Sequence, residues 1–498
     1  MQRITATDAV FLDLEGPTTP LIIGGLFILD PATAPDSFVR HRDILAYVES
    51  RLHVAPNLRR KLVYHPLGLD EPRLIDDPDF DLEFHVRHIG LPRPRDWRQL
   101  KILTSRLISR PMDLHRPLWE MYIIEGLENL GGVPPEAFAM VFKMHHATFD
   151  GAAGGAAIWA FMQDTPDFEP IPPEKRWVPD RKPDMMGWTI SSIQEGMKQW
   201  LANVQTLPSL SKGIAKGMRA AANEPSTGIN EALKGLSAPR TRFQGKLTSH
   251  RVYDWVRFEM IDVQKMRLEL GKPKMNDLLL SLIGGGLRRY LTHHGELPDR
   301  SLLAMCPINV RGARDPSEGG NFVSAMRVPL GTNIANPLER LASIAAASTT
   351  GKGQAEALGG DFMGNLLALT PYPVRSRAMR GMVAATRRFD SNLPPAINTT
   401  VTNVPNPKGG HYFTGAKVVS YAGFGPVLDG AGLFHTITGM DFEVTISVTS
   451  CREFMPDVDF YMDCLRESFE ELEAVAAAAK STIPMSKASP RRKLRRTS

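Results

Sequence analysis

Residues 138–151 read FAMVFKMHHATFDG, an apolar run that ends in the pair His145-His146 and a turn through Asp150 and Gly151. A short run that is apolar at almost every position is typical of a strand covered on both faces of a sheet. The histidines therefore lie where a buried strand ends in a loop, and such positions are where α/β folds meet their ligands.

The strand period assigns the two histidines to opposite faces. If the strand continues to its end, His146 shares a face with Met144, and His145 shares the other with Lys143. One imidazole then faces the reaction space and the other faces the packed interior. An imidazole titrates near neutral pH, so His146 can take a proton from a hydroxyl and return it to a leaving group. Asp150 can fix the ring or the loop, and the glycine after it permits a sharp turn.

The same residues also fit interpretations that involve no catalysis. Adjacent histidines before an Asp-Gly pair occur in ordinary turns, so residues 145–151 alone leave both chemistry and a plain turn open. A metal site is disfavoured, because the two histidines are not spaced by one helical turn and no third ligand motif stands beside them. We therefore expect no metal.

A second motif precedes the first. Residues Arg116 to Glu120 read RPLWE and lead into a short apolar run closed by Gly126-Leu127. This order of motifs resembles the bacterial wax ester synthase/acyl-CoA:diacylglycerol acyltransferase family, within the chloramphenicol acetyltransferase-like superfamily. Three later segments extend the resemblance: Asn276-Asp277 at the start of an apolar helix, Pro307 to Gly312 with Arg311 near its end, and Thr402 to Pro405. Asn406 departs from the family, which usually has glycine there, and this leaves substrate preference in doubt.

The resemblance implies an α/β fold of two chloramphenicol acetyltransferase-like halves with mixed sheets, joined by a crossover and enclosing a substrate channel. At 498 residues the chain is too long for one ordinary core, which agrees with two halves. We predict an N-terminal half over residues 1–165, a crossover linker with amphipathic helices over 166–250, a C-terminal half over 251–480, and a disordered basic tail over 481–498.

The resemblance also implies a reaction, the direct transfer of an acyl group from acyl-CoA to an acceptor hydroxyl in a ternary complex. His146 is then the general base, and His145 and Asp150 complete the catalytic motif. Asp150 is expected to be structural, because a buried carboxylate needs a charged or multiply hydrogen-bonding partner, for which Arg116 and Arg311 are both candidates. Acyl-CoA is a co-substrate, and no cofactor, metal or covalent enzyme intermediate is required.

Other residues are expected to support the site. The resemblance implies that Asn276 supports the tetrahedral oxyanion, where one preorganised donor is commonly worth roughly 10²–10³ in rate. Gly151 and Asp277 are expected to support the local geometry, and Trp119 to set the packing beneath the site. Cys306 lies in an apolar strand and is expected to be a packed small hydrophobe instead of a nucleophile.

The composition is that of an ordinary globular protein in a reducing compartment. Hydrophobic residues make up 43% and charged residues 23% of the chain, and its three cysteines have no paired spacing, which favours the cytoplasm. The chain starts with charged residues instead of a signal peptide, and no apolar run is long enough to span a bilayer. We expect any contact with the inner membrane face or with lipid droplets to be peripheral.

Charge is concentrated at the C-terminal end. The net charge is +5, and residues 485–498 hold six basic side chains and no acidic one. Attraction to anionic lipid headgroups, worth about 1 kcal/mol per basic residue, and a plain solvated tail are both open interpretations. Nucleic-acid binding is not expected, because the body lacks a basic stripe with interleaved aromatic residues.

Periodicity places further elements along the chain. Residues 186–222 are spaced as an amphipathic helix, whose apolar face packs on the protein or forms a membrane-facing or substrate-gating surface. Three glycines at 284–286 lie inside a predicted helix, where each costs about 1 kcal/mol against alanine, so close packing or a ligand tunnel is expected. Strands are predicted at 21–29, 138–144, 252–260, 302–310, 321–330, 397–404, 416–421 and 442–449, and helices at 38–52, 97–109, 261–270, 275–294 and 457–478.

Three functions remain open from the sequence. The first is an acyl-CoA-dependent O-acyltransferase that makes triacylglycerol from diacylglycerol or wax esters from long-chain alcohols. The second is an acyltransferase for another lipid or for a carrier-bound acyl substrate. The third is a non-catalytic lipid-binding protein, which the intact His146 and Asp150 argue against. The sequence leaves the acceptor, the acyl chain length and the oligomeric state undetermined.

Overall fold

The computed structural model describes residues 2–149, 157–167, 177–180, 184, 186–198, 201, 237–309, 323–358, 367, 370–388, 395–404, 409 and 411–482. These residues form both strands and helices, and several helices begin at a residue whose side chain caps the first turn. Thr5, for example, accepts a hydrogen bond from the backbone N–H of Asp8 at 3.1 Å and so caps the first helix.

The strands are β1 (Gln2–Arg3), β2 (Ile22–Asp30), β3 (Arg60–Val63), β4 (Arg73–Asp76), β5 (Val86–Gly90), β6 (Trp119–Glu125), β7 (Phe138–His145), β8 (Arg251–Glu259), β9 (Leu303–Asn309), β10 (Val323–Pro329), β11 (Thr399–Val404), β12 (Tyr412–Phe413), β13 (Ala416–Phe424), β14 (Leu433–Gly439) and β15 (Glu443–Cys451). The helices are α1 (Ala6–Leu14), α2 (His41–Arg51), α3 (Leu82–His85), α4 (Trp97–Ile108), α5 (Met260–Glu269), α6 (Met275–His293), α7 (Pro337–Leu358), α8 (Tyr372–Arg388) and α9 (Val458–Thr482). Residues 186–198 are also helical and are called the crossover helix here.

Two mixed six-stranded sheets carry the fold. The first has the order β12-β13-β2-β7-β6-β5 and the second β10-β9-β11-β14-β15-β8, while β1, β4 and β3 form a small third sheet. Each large sheet contains parallel pairs, β5 with β6 in the first and β11 with both β9 and β14 in the second, among antiparallel neighbours. The mixed sheets predicted from the sequence are therefore present.

The C-terminal part of the chain completes the N-terminal sheet. Strand β13 pairs antiparallel with β2, with Ala422 opposite Leu26, so β13 and its neighbour β12 lie in the first sheet although the other strands of residues 251–480 build the second. The phenol of Tyr253, on β8, donates to the carbonyl of Ala422 at 2.8 Å and joins the second sheet to this added strand. The first sheet thus contains strands from both of the predicted halves.

Strand β7 is covered on both faces, as its apolar run predicts. Phe138, Met140 and Phe142 belong to one core cluster, and Ala139 and Val141 belong to the cluster beneath α4. All eight residues of the strand are buried. The even-numbered face therefore continues toward His146, in agreement with the strand period.

The three glycines of α6 serve close packing. A Cβ on Gly285 would lie 2.1 Å from Ser468 Oγ of α9, and one on Gly284 would lie 2.1 Å from the carbonyl oxygen of Leu330. A Cβ on Gly286 would lie 2.7 Å from Leu465 Cδ2. Helix α6 thus approaches α9 and the end of β10 too closely for any side chain at these positions, and the close-packing interpretation is confirmed.

The central strand β14 was not among the predicted strands. Its sequence, LFHTITG, places His435, Thr436 and Thr438 where an apolar run was sought. These polar groups are satisfied inside the sheet: the His435 ring contacts Thr399 Oγ1 at 2.8 Å and the Tyr461 hydroxyl at 2.7 Å. Burial lowers the pKa of His435 to about 3, so it stays neutral there. Helices α7 and α8 were not predicted either.

Candidate active site

The turn that carries the two histidines is held by the ends of two neighbouring elements. The backbone N–H of His145 donates to the carbonyl of Leu118 at 3.0 Å, and that of His146 donates to the carbonyl of Leu21 at 2.9 Å. The N–H groups of Thr148 and Phe149 then donate to the carbonyl of His145, both at 3.2 Å. The backbone N–H groups of these four residues are therefore all engaged as the chain leaves β7 in a tight turn.

His145 is the structural member of the pair. Its side chain is fully buried, and its Nδ1 accepts a hydrogen bond from the backbone N–H of Ala147 at 3.1 Å. Because Nδ1 is an acceptor, the ring proton lies on Nε2, which is 3.2 Å from Glu15 Oε2. The ring therefore joins the turn to the residue that follows α1, and it fixes where the turn places His146.

His146 is half-buried and lies against α1. Its ring stacks on Phe11 with 3.9 Å between ring centroids and 17° between the planes. Phe11 in turn packs with Tyr64 and Tyr372 at the edge of a small apolar cluster that includes Leu118. An imidazole that is partly open and bordered by apolar side chains suits proton transfer on an apolar substrate.

A buried cation supports the same strand end. Lys143 is 1% exposed, and its ammonium donates to the carbonyls of Leu107 and Arg110 at 3.1 and 3.0 Å. It also lies 3.0 Å from Glu120 Oε2 on β6. Burial lowers the pKa of Lys143, while the Glu120 carboxylate opposes that shift. The ammonium ties the C-terminal end of α4 to β7, two residues before His145.

Three of the predicted site residues fall outside the described part of the chain: Asp150, Gly151 and Arg311. The described candidate partner, Arg116, has its guanidinium carbon 3.9 Å from the Phe84 ring centroid and its Nε 3.6 Å from Asp113. The partner of Asp150 stays a prediction.

Trp119 lies in the core beneath the site. It is fully buried, its indole N–H donates to the carbonyl of Leu58 at 2.7 Å, and its ring stacks on His85 with 4.7 Å between centroids. In the sheet it stands opposite Met144 of β7. These contacts agree with a packing role for the indole.

Asn276 and Asp277 lie on the second sheet's side of the fold, in the first turn of α6. Asp277 is 2% exposed, while Asn276 is half-buried. Cys306, on β9, is buried, and burial followed by the charge of Asp277 raises its pKa to about 12. Its thiol is therefore not ionised near neutral pH, which argues against a nucleophilic role.

Sequence reasoning missed Phe11 and Glu15, the residues of and after α1 that touch the histidine pair. The charged start of the chain was used only to argue against a signal peptide. The signal that could have found them is their spacing of four, about one helical turn, with Phe11 on α1 and Glu15 directly after its end.

Two absences apply to the described residues alone. Within them, no three His, Cys, Asp or Glu side chains come together in a way that could hold a metal ion. None of the helices in the described ranges is long and apolar enough to cross a membrane.

Comparison with known sequences gives one consistent family. The profile of the wax ester synthase/diacylglycerol acyltransferase catalytic domain matches residues 4–279, and that of the C-terminal domain of the same family matches residues 319–473. Two Mycobacterium tuberculosis proteins, both provisionally named diacylglycerol O-acyltransferase, are 30% identical to this chain. The first match covers 95% of this chain and 90% of the relative, and the second covers 96% and 98%.

Solved structures share the fold. The wax ester synthase/diacylglycerol acyltransferase from Marinobacter aquaeolei VT8 superposes with a TM-score of 0.66 at 23% identity, over 96% of this chain and 100% of that one. A starter condensation domain of rhizomide synthetase, solved with C8-CoA, superposes with a TM-score of 0.51 at 15% identity, over 97% of this chain and 96% of that one. The predicted α/β fold with two halves and mixed sheets is confirmed.

Proposed function

Because the chain belongs to the wax ester synthase/diacylglycerol acyltransferase family and is an acyltransferase, we propose that it moves a long-chain fatty acyl group from acyl-CoA to diacylglycerol or a long-chain alcohol. The products are then triacylglycerol or a wax ester. The observation that carries the proposal is the half-buried ring of His146 at the end of β7, stacked on Phe11 above a buried, oriented His145.

In the proposed mechanism His146 acts as general base. An unprotonated nitrogen of its imidazole removes the proton of the acceptor hydroxyl as the oxygen attacks the thioester carbonyl carbon. The tetrahedral intermediate collapses with cleavage of the carbon–sulfur bond, and the imidazolium returns the proton to the departing CoA sulfur. The ester and free CoA thiol leave, and the enzyme regains its starting state without a covalent intermediate.

The other predicted residues take supporting roles in this mechanism. Asn276 would donate to the oxyanion, which preorganised donors stabilise more strongly than water does. Asp150 and Gly151 would shape the loop after His146, and Arg311 is retained with Arg116 as a candidate partner for the Asp150 carboxylate. Asp277 would support the first turn of α6, next to Asn276.

The acceptor lipids are poorly soluble, so the proposal includes peripheral contact with the inner membrane face or a lipid-droplet surface. The second candidate, transfer from acyl-carrier protein or to another lipid, uses the same histidine and differs only in donor or acceptor. The third candidate, a lipid-binding protein without catalysis, predicts no turnover at all.

The test is release of free CoA thiol from palmitoyl-CoA with dipalmitoylglycerol, with hexadecanol or without an acceptor. Wild type should release thiol only with an acceptor, and His146→Ala should lower that rate by about 10²–10⁴. His250→Ala, in which an exposed histidine next to Glu453 is removed, is the matched control and should match wild type.

Each alternative has its own outcome in this assay. If His146→Ala keeps the acceptor-dependent rate while folding normally, His146 is not the base. If wild type shows no acceptor-dependent release from acyl-CoA but does so from acyl-carrier protein, the donor assignment is wrong. If neither donor gives turnover, the lipid-binding interpretation is favoured.

A further inference from the structure

The crossover helix presents one apolar row to solvent. Met186, Ile190, Ile193, Met197 and Leu201 follow one another at intervals of three or four residues, so they lie on a single helical face. Each of these side chains is between 50% and 73% exposed. Scattered exposed apolar residues are normal on a soluble protein, but five at this spacing, four on the crossover helix and Leu201 shortly after it, mark an interaction surface.

The opposite face of the helix fixes this orientation. Trp188 is 4% exposed, and Ser192 Oγ donates to Asp70 Oδ2 at 3.0 Å. Glu195 Oε2 lies 3.3 Å from Arg73 Nη2, and that guanidinium also donates to Asp70 at 2.8 Å. Because these buried contacts hold the polar side inward, the apolar row points away from the protein.

Two further segments meet at the same ionic cluster and expose apolar side chains. The loop between β3 and β4 presents Leu67 and Leu69, which are 67% and 41% exposed, just before Asp70. Helix α8 reaches the cluster through Arg375, whose Nη2 donates to Glu71 Oε1 at 2.8 Å. The crossover helix, this loop and α8 are therefore neighbours on one side of the molecule.

Helix α8 adds positive charge to this side. Its sequence, YPVRSRAMRGMVAATRR, has five arginines and no acidic residue. Val374 and Met382 are 59% and 53% exposed, and the exposed arginines Arg377 and Arg380 stand on the same helix. Arg375 and Arg380 pair with Glu71 and Asp13 of other segments, whereas the exposed Arg377 donates to the carbonyl of Pro373 in its own helix. Apolar side chains next to an exposed arginine match the interface of an anionic phospholipid layer, which takes up both.

The same helix borders the candidate active site. Ser376 Oγ and Arg380 Nε of α8 donate to Asp13 Oδ1 of α1 at 2.6 and 2.9 Å. Helix α1 carries Phe11, on which the His146 ring stacks. A surface that includes α8 is thus one element away from the general base.

We propose that this side of the molecule docks on an anionic phospholipid surface, from which the acceptor lipid reaches His146. The lipid-docking face consists of the apolar row of the crossover helix, Leu67 and Leu69, and the exposed face of α8. The docking step is independent of the chemistry, whereas the delivery of the acceptor rests on the proposed function. A second copy of the chain is the other occupant that the test separates.

The experiment is flotation of the full chain with vesicles of phosphatidylcholine alone or mixed with phosphatidylglycerol. Wild type should bind the mixed vesicles and lose binding at high salt, because the arginine contribution is screened. The triple variant Ile190→Ser, Ile193→Ser, Met197→Ser should bind at least about tenfold more weakly. Arg377→Gln should weaken binding about fivefold.

A matched control removes exposed apolar side chains elsewhere. Ile261 and Leu268 on α5 are 74% and 61% exposed, and Ile261→Ser with Leu268→Ser should bind vesicles as wild type does. A variant with glutamines at the six basic positions of residues 485–498 measures the contribution of the tail. If that variant loses all binding while the triple variant binds like wild type, the docking proposal is overturned.

Two further measurements separate the remaining explanations. If sedimentation shows that the triple variant changes oligomeric state and not vesicle binding, the row is an interface between copies and the proposal fails. Release of CoA thiol with hexanol, a water-soluble acceptor, tests the chemistry without a lipid phase. The triple variant should release CoA thiol as fast as wild type with hexanol, and more slowly than wild type with vesicle-borne dipalmitoylglycerol. Absence of turnover with hexanol in wild type would instead count against the proposed function.

Discussion

At the scale of single residues, the two histidines divide the work of the motif between them. His145 is buried, its Nδ1 accepts from the Ala147 N–H, and its Nε2 lies 3.2 Å from Glu15 Oε2. His146 stays half-buried beside Phe11. The turn that places the proposed base, His146, therefore contacts a carboxylate that lies 130 residues before His145 in the chain.

Replacement of Glu15 should expose this dependence. Glu15→Ala removes the carboxylate that lies 3.2 Å from His145 Nε2 and so loosens the turn, and we expect kcat to fall about tenfold to a hundredfold with little change in KM. Glu15→Gln, which keeps the size of the side chain and an oxygen at the same contact, should recover most of the loss. Steady-state kinetics with palmitoyl-CoA and hexadecanol measures the split.

The control for this prediction is Glu467→Ala, which removes an exposed glutamate that pairs with Arg289 on the surface. It should leave both kinetic constants unchanged. An unchanged kcat in a folded Glu15→Ala protein, or an effect on KM alone, would show that Glu15 does not position the base.

At the scale of elements, α6 shows how glycine sets the distance between helices. Gly284, Gly285 and Gly286 bring α6 into contact with Leu330, Ser468 and Leu465, where no Cβ fits. This closeness explains why a helix interior tolerates three residues of poor helix propensity: the packing they permit offsets their conformational entropy.

Gly285→Ala is expected to destabilise the protein, although alanine is the better helix former. Its Cβ would lie 2.1 Å from Ser468 Oγ and 2.9 Å from Arg340 Nη2, so the helices must separate, at a loss of about 1–3 kcal/mol. Urea unfolding measures the change, and adding Ser468→Ala should recover part of it.

A second alanine substitution, at Gly353, is expected to stabilise the protein instead. A Cβ at Gly353 on α7 would have no neighbouring atom within 4 Å. Gly353→Ala should therefore raise the free energy of unfolding by about 0.5–1 kcal/mol. If both substitutions raise the free energy of unfolding, helix propensity and not packing governs position 285.

At the scale of the whole molecule, contacts between distant segments decide how the two sheets are joined. Strand β13 adds to the first sheet, and Asp13 of α1 accepts from α8. A third contact is charged: Lys101 of α4 lies 2.8 Å from Asp254 of β8 and 3.2 Å from Asp459 of α9. The Asp254 side chain is fully buried at this junction.

The junction should make stability depend on pH. Burial raises the pKa of Asp254 from its usual 3.8 to about 7, although the Lys101 ammonium opposes the shift. Between these values the folded state holds more protons than the unfolded state, so the contribution of Asp254 is greatest below about pH 4 and is lost as the pH rises through about 7. Urea unfolding at several pH values should show this loss.

The Asp254→Asn variant, in which an amide mimics the protonated acid, isolates the effect. Its free energy of unfolding should fall less than that of wild type as the pH rises from about 4 to about 7. Parallel pH profiles for the two proteins would mean that Asp254 does not titrate in this range.

Much of the fold could be predicted from local pattern. The apolar run before His145 specified β7, and alternation or amphipathic spacing located α4, α5, α6 and most strands near their observed bounds. Strand β14 was missed because His435 and its threonines are polar, and only their partners Thr399 and Tyr461 make burial acceptable. Those partners are far away in sequence, so no local pattern contains them.

The sequence by itself determined the family motif, the α/β class, the two-faced burial of β7 and the placement of His146 at its end, because strand period and apolar content are local properties. Only the tertiary structure decided that β13 joins the first sheet, that α1 lies against the histidine pair and that the crossover helix turns its apolar row outward. Each of these depends on contacts between residues far apart in the chain, such as Glu15 with His145 or Ser192 with Asp70. Such contacts form only where the folded chain brings complementary groups within a few ångströms, a distance that sequence spacing does not encode.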